Sequence, residues 1–337
     1  MNTRYPLWRS FAALLIVCVL PSVASAQVPH FDSLYVFGDS LADNCNVLIQ
    51  SESLGAKPPV PPSASPHRTY FKGRFSNGYV EFEYLWQRLT GKPLDGADAL
   101  TPSLASPSLI KGAGAIDFAY GGTGTDYVDQ TPGGMWAPGL KGQIELFRQA
   151  LHGKKPSDRA LYAIATGAND YRLDPFNVPM DPAQVVLNIE EGIISLYLLG
   201  ARDVIVFDLP DLGLIPSNAG DPNASAVSTL HNALLDAGMA DLQARLPKLH
   251  IIYVKLDPLF HELLSRMEWH APALEVFGPT PGMSACLFIN PTSCENVKPR
   301  FFNMNLGFLF WDVVHPTTEA HHYLSDYLYE QLAASYD

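Results

Sequence analysis

A serine hydroxyl becomes a nucleophile only when a base takes its proton, and ligands in open α/β sheets bind beyond the carboxyl ends of the strands. Ser40 has that placement: residues 34–37 (Leu-Tyr-Val-Phe) read as a short apolar strand that stops at Gly38, and Asp39 and Ser40 follow at the turn. The matching base and its partner are sought elsewhere in the chain. Asp312 and His315 form the Asp/His pair that directly precedes a proline, Pro316, and a helix, so both lie on one short loop. Such a loop can present an imidazole to the serine and a carboxylate to that imidazole. His315 would take the Ser40 proton as general base and return it to a leaving group, while Asp312 would fix the tautomer and balance the imidazolium. By itself, Asp-x-x-His is more often only a polar loop.

Gly121 and Asn169 each follow an apolar strand, as Ser40 does. The backbone N–H groups of Ser40 and Gly121 and the carboxamide of Asn169 could converge on a developing oxyanion. The plainer alternative is that Gly121-Gly122 is a turn and Asn169 a helix cap. Asp39 is read as structuring its turn and Asp170 as capping the segment after it. His321 and His322 are adjacent on a predicted helix, point apart and make a poor metal pair, so no metal and no cofactor are expected. The 25 glycines contain no phosphate-loop or dinucleotide fingerprint. Asn223-Ala-Ser225 is a glycosylation sequon, relevant only in a eukaryotic host.

The elements that must hold these groups alternate between strand and helix. Strand patterns fall at 34–37, 116–120, 160–165, 203–209 and 250–254, and helical patterns at 77–89, 140–152, 182–199, 224–246, 258–267 and 317–334. The stretch 47–69, rich in Pro and Ser, reads as an extended loop or flap, and 93–111 as polar and turn-rich. This alternation implies a parallel sheet covered on both faces, in one domain over residues 27–337 without internal repeats.

Residues 1–26 stand apart from that domain. Arg4 and Arg9, ten apolar residues from Phe11 to Leu20, and Ala24-Ser-Ala26 predict a secretory signal peptide cleaved before Gln27. The apolar run is too short to span a bilayer, which takes about 20 residues. A secreted or periplasmic protein, expected to be a monomer, follows. The formal net charge is −12, or −14 once Arg4 and Arg9 are removed. That balance argues against nucleic acid and anionic membranes as partners. In an oxidising compartment Cys286 and Cys294, in a Pro/Asn/Ser/Thr-rich loop, are expected to form a disulfide, leaving Cys45 as a small packed side chain.

Four stretches together carry a resemblance. Residues 37–44 (Phe-Gly-Asp-Ser-Leu-Ala-Asp-Asn), 119–124 (Ala-Tyr-Gly-Gly-Thr-Gly), 166–170 (Thr-Gly-Ala-Asn-Asp) and 312–317 (Asp-Val-Val-His-Pro-Thr) resemble, in order, the four blocks of the GDSL esterases/lipases, the SGNH hydrolases. Residues 73–78 (Gly-Arg-Phe-Ser-Asn-Gly) resemble a stretch found between the first two blocks in the subgroup with plant GDSL lipases and bacterial secreted acyl esterases. Cys45 and Ala168 depart from the glycines usual in the subgroup. The resemblance implies a flavodoxin-like α/β/α fold, Ser40 as nucleophile, and Asp312 and His315 completing a triad. It also makes Ser40, Gly121 (in preference to Gly122) and Asn169 the oxyanion donors. The expected substrates are lipid, lysophospholipid, choline or short-chain acyl esters, with acyl transfer to other alcohols known among relatives. The alternatives are a polysaccharide acetylesterase on the same fold or a catalytically silent lipid- or glycan-binding protein. The aromatics Tyr70, Phe71, Tyr120, Tyr127, Trp136 and Tyr171 near the blocks are either packing or a recognition surface for a quaternary ammonium group.

Overall fold

The computed structural model describes residues 28–63, 70–105, 114–131, 134–172, 179–265 and 309–336. The expected signal peptide and the Cys286–Cys294 bridge lie outside the described residues. The strands are β1 (Ser33–Gly38), β2 (Thr101–Pro102), β3 (Gly114–Asp117), β4 (Asp129–Gln130), β5 (Trp136–Ala137), β6 (Ala160–Ala165), β7 (Asp203–Phe207) and β8 (His250–Val254). β4 and β5 pair with each other; the other six form one sheet in the order β2-β3-β1-β6-β7-β8. All its pairings are parallel. With the two-residue edge strand β2 set aside, the order by chain position is second, first, third, fourth, fifth, which is the flavodoxin-like arrangement. Its switch point lies between β1 and β6.

Alternate side chains of each strand face opposite layers. On one face, Tyr35, Phe37, Tyr162, Ile164, Val204 and Val206 pack under helices α3 (Leu140–Ala150), α4 (Pro182–Leu199) and α5 (Pro222–Arg245). On the other face, Leu34, Val36, Leu161, Ala163, Ile205 and Phe207 pack under α2 (Glu81–Thr90), Leu256 at the start of α6 (Leu256–Ser265) and the last described helix, α7 (Thr318–Ala334). The three-layer α/β/α architecture is thus present. Helix starts follow the local chemistry. Asp181 and Asp221 each precede a proline at the first turn, and each accepts an N–H two residues on.

Several segments differ from the sequence expectation: β3 runs over Gly114–Asp117 where 116–120 was expected, and the β4–β5 pair was not expected. Residues Asn46–Ser53 form a helix, α1, where an extended loop was expected from Val47. Its cap is supplied from outside the helical pattern, by Asp43, whose carboxylate accepts the N–H groups of Cys45, Asn46 and Val47. Helix α2 begins at Glu81, because Asn77 caps a different helix: its Oδ1 accepts the N–H of Thr318 at 2.8 Å. The turn-rich stretch from 93 contributes the short β2, which only a sheet edge can make visible.

At the carboxyl end of β1 the backbone approaches β6 closely. A Cβ on Gly38 would stand 2.3 Å from the Ala165 carbonyl oxygen. The buried Gln143 of α3 closes the same end, accepting the Gly38 N–H and donating to the Gly38 carbonyl, both at 2.8 Å. The nucleophile turn is thereby fixed to both neighbouring elements.

Beneath the turns lie carboxyl groups with few charged neighbours. Burial pushes Asp39 and Asp170 up to about 7 and Asp208 up to about 6, against the N–H groups that each accepts. Unfolded carboxyls titrate near 3.9. The folded protein therefore keeps protons that the unfolded chain has lost, and stability falls as pH rises from about 4 through about 7. Buried His231, lowered by desolvation to about 4, opposes this with a contribution that grows as pH rises towards its ordinary value.

Two outcomes follow from these contacts. Gly38→Ala should lower stability by roughly 1–3 kcal/mol through overpacking, read from urea unfolding; an unchanged midpoint would contradict the close approach. Urea midpoints taken between about pH 5 and pH 8 should decline with rising pH, since the raised carboxyls outnumber His231, and a steady climb over that range would overturn the assignment.

Candidate active site

β1 ends in the turn that carries Ser40, and the loop before α7 carries Asp312 and His315. The structure brings the three together. His315 Nε2 lies 2.8 Å from Ser40 Oγ, and His315 Nδ1 lies 2.6 Å from Asp312 Oδ2. The loop is held by its own backbone: Trp311 N–H donates to the His315 carbonyl at 2.7 Å and Thr317 N–H to that of Leu309 at 3.0 Å.

Asp312 is buried and accepts four hydrogen bonds. Oδ1 takes the N–H groups of Val314 (2.8 Å) and His315 (2.7 Å). Oδ2 takes His315 Nδ1 and, at 2.7 Å, the hydroxyl of Tyr70. Burial alone would raise this carboxyl, but the His315 charge and the hydrogen bonds from His315 and Tyr70 outweigh it and hold the group at about 2. Asp312 is thus an anion beside the imidazole. That arrangement can draw a proton from a serine hydroxyl and stabilise the imidazolium that results.

The stretch 73–78 has a structural task that sequence reasoning did not assign. Ser76 Oγ donates to the Pro316 carbonyl at 2.9 Å, and the Phe75 ring lies 5.1 Å from that of His315. A Cβ on Gly78 would strike Thr318 Oγ1 at 2.4 Å. This segment docks the Asp312–His315 loop against the sheet. Tyr70 lies just upstream, and nothing in the local sequence pattern signals its bond to Asp312.

Asn169 stands at the end of β6, across the switch point from Ser40. Its Nδ2 donates to the Thr123 carbonyl at 3.1 Å, and its Oδ1 accepts from Arg172 at 2.8 Å. Gly121 departs from the expectation. Its N–H donates to Asp43 Oδ2 at 2.8 Å, so the hydrogen assigned to an oxyanion is engaged by a buried carboxylate. The neighbouring Gly122, with φ +81°, has an N–H without a hydrogen bond to a described residue, and so does Ser40. Asp39 holds its turn, accepting from Leu41 N–H, whereas Asp170 does not cap the segment after it but accepts the N–H and hydroxyl of Thr125, 45 residues away. His321 is buried against Glu81 while His322 packs edge-on to Tyr84, so the two rings diverge as expected.

Two cavities meet at Ser40. One of about 270 Å³ is walled by Pro61, Pro62, Tyr70, Phe75, Gly122 and Arg172, among others, with Asn169 and His315 on its floor. The other, about 80 Å³, runs past Leu41, Phe207, Leu209 and Ile215. It continues into an apolar recess of about 100 Å³ between Leu259, Phe310 and Leu324. Of the six aromatics considered for cation recognition, only Tyr70 lines these walls, and Arg172 brings a positive charge to the same cavity.

The chain matches the model of the GDSL-like lipase/acylhydrolase family over residues 34–328. A GDSL esterase/lipase of Arabidopsis thaliana is 24% identical, covering 95% of each chain. A phosphatidylcholine-sterol acyltransferase of Aeromonas hydrophila is 27% identical, covering 94% of each. An acetylxylan esterase of Geobacillus stearothermophilus aligns with a TM-score of 0.44 and 12% identity, covering 91% of this chain and 95% of that one, a likeness too loose to carry a substrate. The family match runs from β1 into α7 and takes in every group described around Ser40: the chain is a member of the GDSL-like lipase/acylhydrolase family.

Proposed function

We propose that this protein is an exported serine hydrolase of carboxylic esters, working through an acyl-enzyme. The observation that carries the reading is the continuous line from Ser40 Oγ through His315 to Asp312, with contacts of 2.8 and 2.6 Å. Ser40 Oγ attacks the ester carbonyl as its proton passes to His315 Nε2. The tetrahedral oxyanion is met by the N–H groups of Ser40 and Gly122 and by the Asn169 carboxamide. Collapse expels the alcohol, which takes the proton from His315. Water then gives a proton to the same imidazole and attacks the acyl carbonyl, and collapse returns that proton from His315 to Ser40 Oγ as the acid leaves. Nucleophile, base and charge stabilisation all come from the chain, so this route calls for no metal or organic cofactor.

The apolar recess leading from Ser40 supports an acyl group on that side, and the Arg172-lined cavity supports the alcohol portion on the other. Arg172 favours a neutral or anionic leaving group over a quaternary ammonium one. Acyl transfer to an alcohol is a second reading, favoured by the acyltransferase relative, since an alcohol entering the larger cavity would compete with water for the same acyl-enzyme. The positive start, the ten-residue apolar run and Ala24-Ser-Ala26 support export.

The deciding experiment is labelling of the purified protein with an organophosphonate, with Ser40→Ala alongside. Modification of Ser40 in the wild type alone is expected, and a folded wild type left unmodified would favour a binding protein. Ser40→Ala and His315→Ala should each lower kcat by roughly three decades or more, and the double variant should lose little further because the residues act as a unit. Additive losses would argue against a shared proton relay. Asn169→Ala should lower kcat by about two to three decades.

A further inference from the structure

Asp312 Oδ2 is shared by two donors that come from opposite parts of the chain. His315 Nδ1 reaches it from the same loop at 2.6 Å, and Tyr70 O–H reaches it at 2.7 Å from a segment 242 residues away. The tyrosine is well anchored. Its N–H donates to the Pro62 carbonyl at 3.0 Å, and its ring meets Phe75 edge-on at 6.2 Å, the same Phe75 that lies against His315. The side chain also walls the larger cavity, so one residue touches both the substrate space and the carboxylate behind the base.

We propose that Tyr70 is a positioning residue of the proton relay, holding Asp312 against His315 and drawing off part of the negative charge that the imidazolium would otherwise feel. The kinetic part of this inference rests on the hydrolase reading above. Burial, and then the Asp312 charge, keep the phenol protonated far above its ordinary range, so the hydroxyl is a standing donor. Without it, Oδ2 would keep a single donor and become a stronger acceptor for the imidazole. The imidazolium would gain, and a higher pH would be needed to free the base. Other charged groups face the imidazole as well: Asp39 from the turn after β1 and Arg172 from the turn after β6. Tyr70→Phe removes only the phenol oxygen and leaves both side chains in place.

The test is Tyr70→Phe, which removes the hydroxyl and keeps the ring. Its kcat should fall roughly tenfold, the loss of one hydrogen bond to a charged group, while KM changes little. The acid limb of kcat/KM should move to higher pH. The low-field proton resonance of the His315 Nδ1–H bond should also shift, a readout that needs no turnover. Ser76→Ala serves as control, since it loosens the same segment from Pro316 without touching Asp312; it should leave the acid limb where it is. An unmoved limb and resonance in Tyr70→Phe, or an equal movement in Ser76→Ala, would overturn the proposal. A wild type that hydrolyses no ester, with the resonance still moved by Tyr70→Phe, would sink the hydrolase reading and leave the bond to Asp312 standing.

Discussion

A carboxylate that is both buried and charged is the demand around which this structure is arranged. Taken out of water without partners, Asp312 would protonate and stop acting on the imidazole. Four donors prevent that, and they cannot come from one place. Two are backbone N–H groups, which require the loop to fold back on itself; one is the imidazole; the fourth is a phenol from the far side of the chain. The docking of residues 73–78 on the Pro316–Thr318 corner ties the far end of the same loop to the sheet, through Ser76 and Asn77. The alignment of Ser40, His315 and Asp312 therefore depends on contacts that span most of the chain.

The sheet supplies the other half of the arrangement. In a parallel sheet with this strand order, β1 and β6 are neighbours whose following segments leave in opposite directions, opening a crevice at their ends. Ser40 and Asn169 stand on its two sides, and Gly122 closes it from β3. Only a glycine fits where β1 meets Ala165, and the contact joins the serine turn to the strand that leads into the Asn169 turn. The floor under these turns is made of carboxyl groups accepting backbone N–H, which is why so much acid is buried below Ser40.

Much of this was legible in the sequence. The apolar runs that became β6 and β8 and the long helix α4 match their predicted bounds, because each is a continuous pattern closed by a glycine, proline or charged residue. Ser40, Asp312 and His315 could be paired because each sits at a recognisable strand end or helix start. What stayed hidden depends on distant partners. Helix α1 owes its start to Asp43, a near neighbour whose carboxylate caps it and also takes Gly121 N–H from 78 residues away, so one side chain both started an unexpected helix and displaced an expected donor. Tyr70 gives no local signal, since a tyrosine after a proline-rich stretch looks the same whether it packs, binds or bonds to a carboxylate.

Val314 has a position with practical weight. It lies between Asp312 and His315 in the chain, gives its N–H to Asp312, and its side chain borders all three cavities around Ser40. For directed evolution this makes it an awkward residue: a change meant to widen either side of the substrate space also acts on the loop that aligns the base. Under the hydrolase reading selectivity and turnover are coupled there, whereas Leu212 and Ile215 on one side, or Pro61 and Thr131 on the other, offer walls that carry no part of the relay. A library that spares residue 314 and varies those walls would search selectivity without also searching for lost alignment.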